Sequence, residues 1–346
     1  MRKMELQLQH KPAAHCENGT ISNLLRYYGV EVSEPMAFGL SSGLFFVHFP
    51  FIKAGGMPMT FFRTFPGVLF KRITKLMGIK SEMRRFLSQD RAMKKLDEVL
   101  LGQKTPVGCV VGIYYLPYYP IEYRVHFNGH NICIVGKDEE TGVYSVLDPV
   151  TIEKVTLTAK DLKKVRFTKG TYPLMGQMYW IKKMPEVIPD LKPMVLKAIK
   201  KNCKNMAFQP KFIPFAGANG IVYLSKNMRT WEKTMGRKKA LLNLAQIIRM
   251  LEETGTGGAG FRYVYGAFLQ EAAEKTGLDF LNNYSKEMTQ IGDKWREFSY
   301  QSSKVLKKRK DEGLTFDDLA DMVEQIGETE RDFFRRLYAD VDRCSE

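Results

Sequence analysis

Apolar side chains recur at Ile21, Leu24, Leu25 and Tyr28. That i, i+3, i+4, i+7 spacing marks one face of a helix, and Gly29 is well placed to end it. Residues 36–70 are crowded with Phe, Gly and Pro and read as a loop-rich apolar region. Residues 71–101 read as an amphipathic helix. The Val- and Ile-rich run 106–115 predicts a buried strand, and 130–135 and 143–147 predict two more strands around the turn GKDEETG. Residues 179–181 close this part. Beyond the proline-punctuated stretch 184–192 helical spacing dominates, over 193–202, 237–253, 261–275, 278–308 and 316–338. Thr315 stands before Phe316 with Asp318 three residues on, close to a capping box. The change of character places a boundary near residue 185, giving domains 1–185 and 186–346.

The length of 346 residues suits two domains, and 44% hydrophobic with 26% charged residues is ordinary globular composition. Charge changes the picture. There are 53 Lys and Arg against 38 Asp and Glu, a net of +15, and residues 151–250 alone carry 21 basic and 5 acidic side chains. Residues 71–95 hold nine basic residues against Glu82 and Asp90. Such a balance points to a polyanionic partner: nucleic acid, an anionic membrane or an acidic protein. The N-terminus has no apolar core of a secretory signal, and no run reaches the roughly 18 apolar residues of a membrane helix. Five cysteines with no CxxC pair argue against a disulfide framework or structural zinc, so a reducing cytoplasm is expected.

Cys16 stands immediately before the first helical pattern. A thiol there meets the positive end of the helix dipole and its unpaired N–H groups, which favour the thiolate and can hold an oxyanion. His130 opens one predicted strand and Asp148 closes the next. If that hairpin closes symmetrically without a bulge, the two face each other across it, about 5 Å apart at Cβ. An imidazole held by a carboxylate is the base that a nucleophilic cysteine needs. A solvent-facing pair on a hairpin end is the bland alternative. Cys109 and Cys133 fall in apolar strands and read as core. His10 and His48 have no carboxylate at a telling spacing, His126 lies four residues before His130 and outside the strand, and His15 adjoins Cys16 and could touch the site.

Three segments carry a resemblance. HCENGTISNLLRYYG and VSEPMAFGLSSGLFFVHFP resemble the N-terminal domain of the butirosin-biosynthesis H protein family, and GTGGAGFRYVYGAFLQEAAE is similar to that family's helical C-terminal domain. The order Cys, His, Asp also resembles papain-like enzymes of the C39 type. The resemblance implies an α+β papain-like fold with an appended, mainly helical C-terminal domain. It implies a cytoplasmic cysteine acyltransferase that moves an acyl group from a carrier-protein phosphopantetheine thioester to an amine. A related papain-like enzyme of closthioamide assembly forms amides in the same way. On this carry-over Cys16 is the nucleophile, His130 the base and acid, and Asp148 the orienting carboxylate. The oxyanion-hole Gln usual six residues before the cysteine is replaced by His10, with Gln9 one residue off. The backbone N–H of Cys16 is the expected oxyanion donor; Gln9 and His10, with Gly257, Gly258 and Arg262 from the matching C-terminal segment, are the candidate substrate-binding residues.

The expected partners are an acidic acyl or peptidyl carrier protein and a small amine, with no metal, resident cofactor, nucleic acid or membrane. The spacing of Gly255, Gly257 and Gly258 fits neither a P-loop nor a dinucleotide fingerprint. Nine phenylalanines within 36–70 either wall a water-excluding tunnel or form ordinary core. The same triad would serve a cysteine protease or thioesterase. A basic nucleic-acid module lacks any recognisable signature here. The charge of 151–250 straddles the proposed junction, so the carrier is expected to dock there.

Overall fold

The computed structural model describes residues 3–54, 56–170, 173–210, 212–307 and 314–344. Lys308, the expected end of one helix, lies outside them. The described strands are β1 (Lys3–Glu5), β2 (Leu44–Ala54), β3 (Met57–Arg63), β4 (Lys80–Arg84), β5 (Val107–Gly112), β6 (Asn128–Asp138), β7 (Val143–Leu147), β8 (Val155–Thr158) and β9 (Met178–Lys183). Two compact units result: residues 1–37 with 66–188, and residues 38–65 with 189–346. The segment 38–65 thus goes with the C-terminal helices, whereas a single boundary near 185 would leave it with the N-terminal half. Main-chain bonds explain this: His48 N–H donates to the Phe215 carbonyl at 2.9 Å, and Val47 bridges Ala216.

The first unit is built on a seven-stranded sheet of order β4-β9-β5-β6-β7-β8, with β1 added to the far end of β6. Antiparallel pairing and continuous Val/Ile runs bury both faces of its centre, including Val107, Cys109, Val111, Ile132 and Ile134. The helix α1 (Cys16–Tyr27) buries Ile21, Leu24 and Leu25 completely. Gly19 lets it approach the turn that follows β7: a Cβ there would sit 2.5 Å from Pro149. The helix expected over 71–101 is instead a helix Val68–Leu76, the edge strand β4, a helix Gln89–Asp97 and a π-helical turn Glu98–Gly102. Gly78, at φ +71°, turns the chain out of the first helix, and five strand residues fit between it and the next.

The second unit holds the hairpin β2–β3 and helices Leu191–Ala207, Gly217–Met228, Trp231–Met235, Arg237–Glu252, Arg262–Thr276, Leu281–Leu306 and Phe316–Arg343. Residues 36–70 are therefore far from a loop. Their phenylalanines hide the alternation of a strand, and a register shift between Phe49 and Lys53 accommodates Pro50. Phe46 and Phe62 pack on Trp295 with ring centroids 6.4 and 5.4 Å away, so this part of the stretch is core. Thr315 and Asp318 complete the capping box of the last helix. No described helix is long and apolar enough to cross a membrane.

Candidate active site

Cys16 is the first residue of α1, and the turn before it is held from both sides. His15 caps the helix, its Nδ1 accepting the Asn18 N–H at 3.4 Å. The Glu34 carboxylate accepts the N–H groups of Ala14 at 2.9 Å and His15 at 2.6 Å. Glu17, fully buried, accepts the Gly67 N–H at 2.8 Å. Cys16 as a residue is half-buried. Cys109, Cys133 and Cys203 are buried, and burial pushes their thiols up. They are the inert cysteines of the chain.

The hairpin that carries His130 and Asp148 is bulged. Cys133 pairs with Leu147 and Ile134 with Val146, then the register shifts before Gly136 pairs with Ser145. Continued past Leu147, this register would set Asp148 opposite Ile132, two residues along from His130. The pair therefore meets on the diagonal rather than face to face. Asp148 leaves the strand in a turn, its Oδ1 accepting the Val150 N–H at 3.1 Å and its carbonyl the Thr151 N–H at 3.0 Å. That turn leaves Oδ2 for His130 Nε2, which donates to it at 2.8 Å. Nδ1 is then the ring nitrogen left for the hydrogen bond between His130 and Cys16.

Electrostatics agree with this geometry. Burial works against a charged His130, yet the Asp148 carboxylate and the Cys16 sulfur raise its pKa to about 10. Burial alone would raise Asp148, but the His130 charge, the Val150 N–H and the Tyr118 hydroxyl hold it below the usual carboxylate value. The Asp148 carboxylate thus favours an imidazolium beside the Cys16 sulfur, the partner that a nucleophilic cysteine needs.

Four residues at this site carry no motif. Tyr118 and Tyr119 donate their hydroxyls to Asp148 Oδ2 at 2.9 and 3.3 Å. They come from the irregular segment between β5 and β6, where a Tyr pair carries no periodic signal. Asn131 donates Nδ2 to Cys16 Sγ at 3.8 Å, and Tyr179 donates its hydroxyl to Asn131 Oδ1 at 2.8 Å. The interior Gly108 is the one clue: a Cβ there would meet the Tyr179 ring at 2.3 Å.

The other candidates make contacts of their own. His10 donates Nε2 to the Thr151 carbonyl at 2.8 Å, and Gln9 is exposed. Arg262 is completely buried in the second unit. It donates Nε and Nη2 to Glu330, each at 2.9 Å, and Nη1 to the Gly260 carbonyl at 2.8 Å. Its guanidinium faces the Phe62 and Trp295 rings, so Arg262 ties the interior together and has no surface for a substrate. Gly257 and Gly258 shape a left-handed turn whose Gly258 N–H is taken by Thr256 Oγ1 at 3.0 Å. That turn leads into the Arg262 pair rather than cradling an anion.

Two family comparisons match the chain. The N-terminal part of butirosin biosynthesis protein H matches residues 15–149, a span that opens just before Cys16 and closes just after Asp148. A domain of unknown function, DUF4872, matches residues 160–337, just over half of the chain. No curated protein matches it.

Proposed function

The chain belongs to the butirosin-biosynthesis H protein family, and from that premise we propose that it is a papain-like cysteine acyltransferase forming an amide in natural-product assembly. The acyl group arrives as a thioester on the phosphopantetheine of an acidic carrier protein and leaves on a small amine. The observation that carries this reading is the convergence of Cys16, at the start of α1, with the buried His130–Asp148 pair.

Cys16 thiolate attacks the thioester carbonyl carbon, and the carbon–sulfur bond to the carrier breaks. His130 gives its proton to the departing carrier thiolate. The Cys16 negative charge is one of the causes that raise His130, and acylation removes that charge. The ring then becomes a better base at the moment an amine must be deprotonated. The amine attacks the acyl-enzyme, His130 takes its proton, and the Cys16 thiolate is released with the amide. Neither ATP nor a metal takes part in these steps. A thiol that must stay reduced suits a cytoplasmic setting.

Intact mass spectrometry after mixing with an acyl-carrier protein is the test. The expected result is a mass increment equal to the acyl group in wild type, none in Cys16→Ala, and its discharge as amide when amine is added. Discharge as free acid at the same rate with or without amine would make the protein a hydrolase instead.

A further inference from the structure

We propose that Asn131 supplies the oxyanion-hole hydrogen bond of this site and that Tyr179 is the residue that positions it. The proposal rests on the acyl-enzyme reading above and adds to it a side-chain donor beside the backbone N–H groups at the start of α1. The residue six positions before the cysteine is His10, and its Nε2 is committed to the Thr151 carbonyl.

The orientation of the Asn131 amide is settled by its neighbours. Nδ2 lies 3.0 Å from the Gly129 carbonyl, which can only accept, so the NH2 end must point that way. Oδ1 receives the Tyr179 hydroxyl at 2.8 Å. Tyr179 is buried, and burial first, then the negative charge of Glu17, raises its pKa well above the ordinary phenol value. It therefore remains a donor. Phe70 packs on its ring with centroids 4.6 Å apart, and Gly108 leaves the space for it. Asn131 is 2% and Tyr179 1% exposed, so water does not compete for the amide.

With both ends fixed, the second hydrogen of Nδ2 faces Cys16 Sγ at 3.8 Å. That is long for a bond to sulfur and leaves room for the adduct that attack produces. The oxygen of a tetrahedral adduct is two bonds from Sγ, which brings it within reach of this N–H. A preorganised donor at such a point strengthens as charge develops on the oxygen, and removing one costs about 10²–10³ in rate.

The experiment separates an oxyanion donor from a group that merely serves the thiolate. Iodoacetamide alkylates Cys16 by displacement with no oxyanion, whereas S-acetyl-N-acetylcysteamine acylates it through one. For Asn131→Ala and Asn131→Leu the expected outcome is acylation slowed about 10²–10³-fold with alkylation changed less than about threefold. Tyr179→Phe, which leaves the donor but loosens it, should slow acylation about tenfold with alkylation unmoved. Equal losses in both reactions, or none in either, would overturn the proposal. Butanal, which forms a tetrahedral hemithioacetal, is the control that needs no acyl transfer. It should protect Cys16 from iodoacetamide at concentrations about 10²-fold lower in wild type than in Asn131→Ala. Equal protection overturns the Asn131 role, while a wild type that binds butanal but is never acylated overturns the proposed function instead.

Discussion

His130 Nε2 donates to Asp148 Oδ2 across 2.8 Å, with the two residues 3% and 0% exposed. Both shifts this produces favour the charged pair, and each has a consequence for pH. His130 is raised to about 10 and Asp148 is lowered. The raised imidazole stabilises the fold fully below the unfolded value of about 6.5, and that contribution fades as pH climbs toward 10. The lowered carboxylate contributes above about 3.9 and is lost as pH falls through its folded value. These are two views of one interaction.

Acyl loading from S-acetyl-N-acetylcysteamine, which needs the His130 proton for the departing thiolate, should therefore hold a plateau through neutrality and fall on an alkaline limb near pH 10. In Asp148→Asn the carboxylate no longer opposes burial, so the alkaline limb should move down by several pH units. Acyl loading at neutral pH should drop about 10²-fold. Acylation rates measured from pH 4 to 11 check this. An alkaline limb that stays in place in Asp148→Asn would mean that the carboxylate does not hold the imidazolium.

Tyr118 and Tyr119 both donate to Asp148 Oδ2, and the Tyr118 bond is one of the causes that keep Asp148 low. Tyr118→Phe should let the Asp148 pKa rise, so the acid limb of the same profile should move to higher pH. The plateau should fall less than about tenfold, because the His130 contact survives. Tyr118→Phe with Tyr119→Phe should lose more than the two single changes combined, since the second hydroxyl substitutes for the first. Strict additivity would show that the phenols act independently.

The Arg262–Glu330 pair predicts a stability effect with no catalytic one. Trp295 Nε1 adds a third donor to the Glu330 carboxylate, reaching Oε1 at 2.8 Å. Breaking a buried pair from one side leaves an uncompensated charge and costs about 3–5 kcal/mol. Glu330→Leu should lower the thermal midpoint by several degrees. Adding Arg262→Met should restore much of the loss, because an apolar pair of similar volume needs no partner. Alkylation of Cys16 below the transition should be unchanged in both. Thermal unfolding followed by circular dichroism, with alkylation in parallel, decides between this role and substrate binding.

Periodicity made part of this molecule legible and composition hid the rest. The face of α1 shows in the sequence because Ile21, Leu24 and Leu25 are separated by polar residues, and Thr315 announces the last helix through its capping partner. The hairpin β2–β3 does not show, because a run such as Leu44–Ala54 is apolar on both faces and breaks at Pro50. At the site, Cys16, His130 and Asp148 stand at element ends, where a reader looks for chemistry. Their geometry was harder to foresee, since the bulge between Ile134 and Gly136 shifts the register on which a symmetric hairpin depends. Tyr118, Tyr119, Glu34 and Asn131 act through contacts 15 or more residues away in sequence, which no local pattern encodes.

The helix Leu191–Ala207 carries Lys192, Lys197, Lys200, Lys201 and Lys204 and no acidic residue. Lys197 with Lys201, and Lys200 with Lys204, are like charges at i, i+4, an arrangement that destabilises a helix by a few tenths of a kcal/mol per pair. Lys200 is relieved by Asp342 at 2.7 Å, and Lys192, Lys197, Lys201 and Lys204 are exposed. A face kept basic against its own repulsion suits an acidic carrier. Lys197→Glu with Lys201→Glu should lower kcat/KM for loading from the acyl-carrier protein by about 10-fold or more, and should flatten its dependence on salt. Loading from S-acetyl-N-acetylcysteamine, which has no protein to dock, should be unchanged at every ionic strength. Equal losses with the two donors would place the effect on the fold or the site, and no loss with either would assign the lysines to solvation alone.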